Sequence, residues 1–375
     1  MTKSLPVLLY HYVCKKEDSI AVHPEIFEAH CLAMAEAGYR GVDLDEAVHY
    51  LARGKALPRG SVLISFDDGF LDNWVYAWPA LKAHGHQAVV FAVAGRLESR
   101  TGLRPTLENL RQGRTWPQDL PQVDDTFVRD EAGFLVRQDP FLSWDEARAM
   151  EASGVMRLGA HSLWHDSVFR PPKPSEFPTV EGLWDFHRPG PRPRTFDHVS
   201  GGRPYGLPPL DTGPALATRA FLLSDEFLDR VRSAVPQETA TAHAFFQSWD
   251  GARHLQRNLE DLPLERWGRL EREDEYRARV ATDLAWCRDT LTRELGQHPE
   301  ALAWPWGKST PEARAIARDL GFTVFFDTTF GPNPPGQWEH VHRFKARPKG
   351  PNWLTSRLWL YSRPWAAQLY AAVRI

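Results

Sequence analysis

Hydrophobic and polar positions fall into alternating blocks along most of this chain, and the blocks have two periods. The run Pro6–Tyr10 is short, apolar and ends at His11, and it predicts a buried strand. Residues 24–38 (PEIFEAHCLAMAEAG) have helical apolar spacing, with Pro near the start and Gly past the end. Ser61–Phe66 (SVLISF) is apolar and β-branched, the pattern of a strand covered on both faces. Asp67, Asp68 and Gly69 follow directly, residues 73–84 predict a helix closed at Gly85, and Ala88–Val93 predicts another buried strand. Strand, helix, strand at this spacing means βαβ units and a parallel sheet.

The pattern resumes at Val155–Gly159, a short strand leading into His161. A long amphipathic helix is predicted over Tyr276–Leu295, then a strand at Ala301–Trp304, a helix at Pro311–Leu320 and a strand at Phe322–Phe326. Alternation this extended predicts an α/β barrel or partial barrel. Two stretches interrupt it. Residues 96–143 are polar with little periodicity, and residues 166–270 are rich in Pro, Gly, Arg and aromatics. Loops of that length inside a compact domain are functional or disordered. Both read as insertions into one barrel spanning 1–345, with no core of their own, and 346–375 reads as a basic, aromatic-rich tail. No internal repeat is visible.

Composition narrows the function classes. Among 375 residues, 42% are apolar and 25% charged, and the formal net charge is −3. That balance argues against a nucleic-acid binder with a broad basic surface. Cys14, Cys31 and Cys287 lie far apart, giving neither a disulfide framework nor a thiolate metal site. The opening MTKSLPVLLYHYV lacks the apolar stretch of roughly 7–15 residues and the cleavage site of a signal peptide. No stretch approaches the ~20 apolar residues of a spanning helix. The expectation is a cytoplasmic protein. The 15 tryptophans are compatible with sugar-ring platforms, although Trp also fills cores.

Two short motifs carry chemistry. Asp67-Asp68-Gly69 ends an apolar strand, where barrel enzymes place catalytic groups. Adjacent residues on a strand point opposite ways, so Gly69 is expected to supply a tight turn that brings both acids to the mouth. Taken alone, the pair reads equally well as N-capping acids of the following helix. His161 and His165 also follow a strand, and at i and i+4 they share one face if that turn is helical. Two imidazoles with one carboxylate form a triad suited to a catalytic divalent ion.

LISFDDGFLDN, GAHSLWHDSV and AWPWGKS, in that order, resemble the motifs of the polysaccharide deacetylases, carbohydrate esterase family 4. The opening VLLYHYV is similar as well, and the resemblance covers about residues 5–95, 143–168 and 271–345. It implies a distorted (β/α) barrel with fewer than eight repeats and metal-dependent hydrolysis of the amide of N-acetyl sugars. It makes Asp67 the catalytic base, and Asp68, His161 and His165 the metal ligands. It also implies that a backbone N–H near Trp306 holds the oxyanion. One divalent ion is implied; the ligand type favours zinc, with nickel, cobalt and iron open.

Two departures from the family pattern follow. The arginine that the family places three residues before the aromatic of its third motif is Ala303 here, and Arg343 is a candidate replacement. The general-acid histidine falls in EHVHRF, where His342 is preferred over His340. His11, at the end of the first strand, points toward the same mouth if the barrel is right; a buried structural histidine is the competing reading.

The remaining signals concern the substrate. Arg188, Arg192 and Arg194 sit in a Pro-stiffened stretch suited to gripping a phosphate, or to a solvated loop. From His340 to Ile375 there is no acidic residue, while basic and aromatic residues interleave. That composition fits peripheral contact with an anionic membrane face, or a helix packed on the barrel. The expected substrate is an N-acetylated sugar of a surface polysaccharide or lipopolysaccharide precursor, lipid- or nucleotide-linked. The alternatives are a deformylase or other amidase on a lipid-linked amino sugar, and an inactive glycan-binding relative.

Overall fold

The structure is a computed structural model that describes residues 1–124, 127–129, 135–137, 139–173, 205–207 and 210–373. The chain divides into two compact units. The first comprises Met1–Thr126, Asp139–His165 and Ala281–Ile375, and the second Phe127–Gln138 and Asp166–Val280.

The first unit is built on seven parallel strands: β1 (Val7–Tyr10), β2 (Ser61–Asp68), β3 (Ala88–Ala92), β4 (Met156–Ala160), β5 (Ala301–Ala303), β6 (Val324–Phe326) and β7 (Phe344–Lys345). Their order across the sheet is β6-β5-β4-β3-β2-β1-β7, with Arg40–Gly41 added beside β2. The sheet curls into a distorted (β/α) half-barrel, as the motif resemblance implied. The six predicted strands agree with β1–β6 within a few residues, whereas Phe344–Lys345 and Arg40–Gly41, two residues each, are too short to leave an apolar pattern and were not predicted.

Side chains at every second position share one face of a sheet. Here that face holds Val7, Leu63, Val89, Phe91, Ala301, Ala303, Val324, Phe326 and Val341, all buried in one cluster. Phe91 from β3 fills the interior so completely that a Cβ on Gly159 would lie 2.6 Å from its ring. Small residues on β4 and β5 make room for large rings from β3 and β6. The same alternation carries Asp67 and Arg343 onto the inner face, two positions beyond Ser65 and Val341.

Helices cover the outside. The helix Pro24–Glu36 starts with Pro at its first turn and ends where Gly38 takes a left-handed φ of 73°. The stretch predicted as one helix over 73–84 is divided: Asn73–Ala77 is a π-helical turn and Trp78–Ala83 is α-helical. The basic tail is two helices, Pro351–Tyr361 and Pro364–Val373. The first buries Leu354 and Leu358 and stacks Tyr361 on Phe344 with centroids 4.4 Å apart.

The second unit holds a buried cluster that includes Phe169, Phe221, Phe227, Val231, Leu255 and Trp267. This corrects the expectation that residues 166–270 carry no core of their own. Three helices, Asp225–Ala234, Thr239–Phe246 and Trp249–Glu260, and two antiparallel strand pairs form it. Each helix is too short for its spacing to dominate the surrounding Pro- and Arg-rich composition, which is why the pattern was hidden. Arg188, Arg192 and Arg194 lie outside the described residues.

Candidate active site

The site lies where the inner face ends. β2 delivers Asp67 in the ordinary alternation, buried at the top of the barrel interior. Asp68 would then point away, but its φ is 75° and that of Gly69 is 81°. The reversal therefore begins at Asp68 itself, one residue earlier than expected. Its result is that both carboxylates reach one imidazole: His161 Nε2 lies 3.8 Å from Asp67 Oδ2 and 3.6 Å from Asp68 Oδ1.

His161 follows β4 directly. Its Nδ1 is 2.8 Å from the Ala303 carbonyl oxygen, which can only accept, so Nδ1 carries the proton and Nε2 presents its lone pair to the acids. His165 arrives by a loop that is not helical, contrary to the condition set for sharing a face. Ser162 and His165 have φ of 67° and 53°, and the His165 N–H donates to Ser162 Oγ at 2.8 Å. Leu163 N–H donates to Asp283 Oδ1 at 3.0 Å, pinning the loop to the long helix Glu273–Leu295. Two left-handed residues do what a helical turn would have done. His165 Nε2 ends 3.7 Å from Asp68 Oδ1.

Among the described residues, the non-glycine positions with positive φ are Asp68, Ser162, His165 and Trp306. All four are at this site. Each such conformation costs on the order of 1–3 kcal/mol and persists only where the surroundings enforce it.

Asp68, His161 and His165 each offer one ligand atom, all within 4.8 Å of one another. An ion with N and O donors at about 2.1 Å in tetrahedral geometry needs them about 3.4 Å apart. The separations of 3.6 and 3.7 Å to Asp68 Oδ1 fit such an ion with little movement. Burial pushes both histidines down to about 4, and the nearby acids only partly oppose it. Both are therefore neutral donors near pH 7, the state a metal requires.

Asp67 stands beside this donor set with both its oxygens already engaged. Arg343 Nη1 donates to Asp67 Oδ1 at 2.6 Å and Nη2 donates to Oδ2 at 2.9 Å. The guanidinium also donates through Nε to the Asp327 carbonyl at 3.0 Å and lies over the Phe91 ring. Burial alone would raise the Asp67 carboxyl, but Arg343, with help from His161 and His11, outweighs it and holds Asp67 down at about 2. Arg343 thus occupies the electrostatic role left open by Ala303, whose carbonyl instead orients His161.

His342 belongs to a second polar chain. Its Nδ1 lies 2.7 Å from Thr329 Oγ1, and Thr329 Oγ1 donates to Asp327 Oδ1. His342 Nδ1–H is therefore the donor to Thr329, and Nε2 is left as the free nitrogen. His340 Nδ1 approaches Asp327 Oδ2 at 3.2 Å from a more exposed position. Burial opposes the charge on Asp327, but the nearby His342 and the hydrogen bonds from the Thr329 N–H and hydroxyl outweigh it and lower its pKa. Sequence reasoning missed Asp327 and Thr329. The signal was present, because Asp327 follows the apolar run VFF just as Asp67 follows the apolar run SVLISF.

Trp306 sits in the turn Pro305–Gly307 with φ 54°, and its ring centroid is 4.1 Å from that of His165. His11, half-buried at the end of β1, acts electrostatically on Asp67 and His165, and its carbonyl accepts from Asn73 Nδ2 at 3.0 Å. The structure thus brings together every residue singled out for the metal, the base and its cation.

Residues 54–180 match the family model described as polysaccharide deacetylase. The chain is 21% identical over 313 residues to the poly-beta-1,6-N-acetyl-D-glucosamine N-deacetylase of Escherichia coli (strain K12), covering 83% of this chain and 31% of that protein. It spans about a third of the length of the curated relatives it matches. IcaB from Ammonifex degensii has a similar fold, with TM-score 0.52 and 20% identity over 95% of this chain and 97% of that one. A de-N-acetylase from Aggregatibacter actinomycetemcomitans gives TM-score 0.57 and 18% identity over 94% of this chain and 99% of that one. The acid and histidine motifs thus fall within the stretch, residues 54–180, that matches the polysaccharide deacetylase model, and the fold is similar to that of these two solved proteins.

Proposed function

We propose that this chain is a metal-dependent N-deacetylase that hydrolyses the acetamide of N-acetylglucosamine units in a surface polysaccharide. The observation that carries the reading is the division of labour between adjacent acids. Asp68 faces two imidazole nitrogens as a ligand, while Asp67 is held ionised and oriented by Arg343 just outside that set. A binding protein has no use for the second arrangement. The names of the matched relatives supply the substrate class.

When bound, a divalent ion, zinc by ligand type, supplies Lewis acidity to the acyl carbonyl and acidifies the attacking water. Asp67 takes the water proton as attack proceeds. Arg343 keeps both Asp67 oxygens fixed, so the carboxylate needs no reorganisation. A backbone N–H at Trp306 meets the charge that develops on the carbonyl oxygen. His342, held by its Nδ1–H on Thr329, acts as the acid through Nε2 in the doubly protonated state. It gives the Nε2 proton to the departing sugar nitrogen, and the proton that Asp67 took from water replaces it over the cycle. Acetate and a free amine result.

The test is acetate release from β-1,6-linked N-acetylglucosamine oligomers by protein stripped of metal and then reloaded with zinc. Parallel arms use β-1,4-linked oligomers and a nucleotide-linked N-acetyl sugar, the latter for the precursor reading. Turnover on the β-1,6 oligomers that depends on the ion supports the proposal. No acetate from any arm with the ion bound refutes it.

A further inference from the structure

The two C-terminal helices, α1 (Pro351–Tyr361) and α2 (Pro364–Val373), present an apolar surface that neither the core nor the site uses. Ala366 and Ala367 face inward, while Trp365 is 65% exposed, Leu369 62% and Val373 77%. These three recur every four residues and form one stripe, about 12 Å long, down the outer side of α2. Trp359 of α1 extends it, 47% exposed and meeting Trp365 edge-on with centroids 6.2 Å apart.

The charge carried by the C-terminal segment itself has one sign. From His340 to Ile375 there is no Asp or Glu, in a chain whose net charge is −3. Lys345, Arg347 and Lys349 are exposed on the segment entering α1. Arg363 lies over the Trp359 ring at 4.2 Å, and Arg357 over Tyr370 at 5.0 Å. Apolar side chains flanked by tryptophans and arginines suit the boundary between headgroups and acyl chains. No described helix is long and apolar enough to cross a membrane, so the surface would lie on a bilayer. Pairing with a second copy through the same patch would set two cationic segments against each other. Anionic lipid removes that conflict.

We propose that α1 and α2 form a peripheral docking surface for anionic phospholipid, with Trp365, Leu369 and Val373 entering the interface and the cations contacting headgroups. The inference does not depend on the catalytic reading.

The experiment is flotation of the full chain with phosphatidylcholine vesicles, with and without a minority of phosphatidylglycerol. The chain should float with the anionic vesicles, and added salt should release it. The W365S/L369S double variant should partition at least about tenfold more weakly. The R347E/K349E variant should lose the preference for anionic lipid. Both should melt at the wild-type temperature, since all four side chains are exposed. Absence of flotation on anionic vesicles, or equal flotation of wild type and W365S/L369S, overturns the proposal. A wild-type dimer that W365S/L369S converts to a monomer in light scattering would overturn it in favour of a second copy.

Discussion

Arg343 grips both oxygens of Asp67, at 2.6 and 2.9 Å, across 276 residues of sequence. Phe344 pairs with Leu8, and Leu8 with Ile64, so the Arg343 backbone lies low in the barrel, near the level of Leu63. Its side chain rises through the interior to reach the mouth. This pair is the structural basis for treating Asp67 as a fixed, ionised base.

Breaking the pair leaves a buried carboxylate without its cation. Arg343→Met should cost about 3–5 kcal/mol of stability, seen as a lower melting temperature, and should reduce acetate release by about a hundredfold or more. Arg343→Lys restores the charge without the paired donors, and is expected to fall between wild type and Arg343→Met in both measurements.

The two adjacent acids should separate cleanly by readout. Asp67→Asn should lower turnover by about 10²–10⁴-fold while zinc titration still shows one bound ion. Asp68→Ala and His161→Ala should lose the ion and the activity together. If Asp67→Asn also abolished zinc binding, the assigned roles would be wrong.

Gly331 tests His342 without removing it. A Cβ at Gly331 would sit 2.5 Å from His342 Cδ2, so the ring must move. Gly331→Ala should therefore lower turnover by about tenfold or more, because misplaced catalytic groups are costly, with zinc affinity unchanged. His340→Gln, at the more exposed end of the same chain, should have a much smaller effect.

Asp72 makes stability depend on pH. Burial pushes its carboxyl up to about 7, although the Val13 N–H and Lys16 oppose this. The folded chain thus holds this proton more tightly than the unfolded one, whose value is near 3.9. The associated stability is full at acid pH and is lost as pH rises from about 4 through about 7, at up to about 1.4 kcal/mol per unit. Asp72→Asn should melt above wild type at pH 8, and the difference should shrink toward pH 5.

The barrel was legible because short apolar runs alternated with helical spacing and two of them ended at the polar residues Asp67 and His161. The means of convergence were not. A two-residue alternation cannot show that Asp68 turns left-handed, or that Ser162 and His165 bend a loop in place of a helical turn. Arg343 precedes a two-residue strand and sits on the barrel's inner face, where composition predicts apolar residues; only the cation missing at Ala303 pointed to it. The core around Phe227 and Trp267 was obscured by short helices set among prolines and arginines. Asp327 was readable as another acid at a strand end and was overlooked.

The central claim is that Asp68, His161 and His165 together hold one ion beside an unliganded Asp67. X-ray absorption spectra of the zinc-loaded protein test it most directly. The account predicts two imidazole nitrogens and carboxylate oxygen at about 2.0–2.2 Å, with Asp67→Asn giving the same spectrum and His165→Ala losing an imidazole. A donor set without two imidazoles, or a spectrum altered by Asp67→Asn, would contradict it.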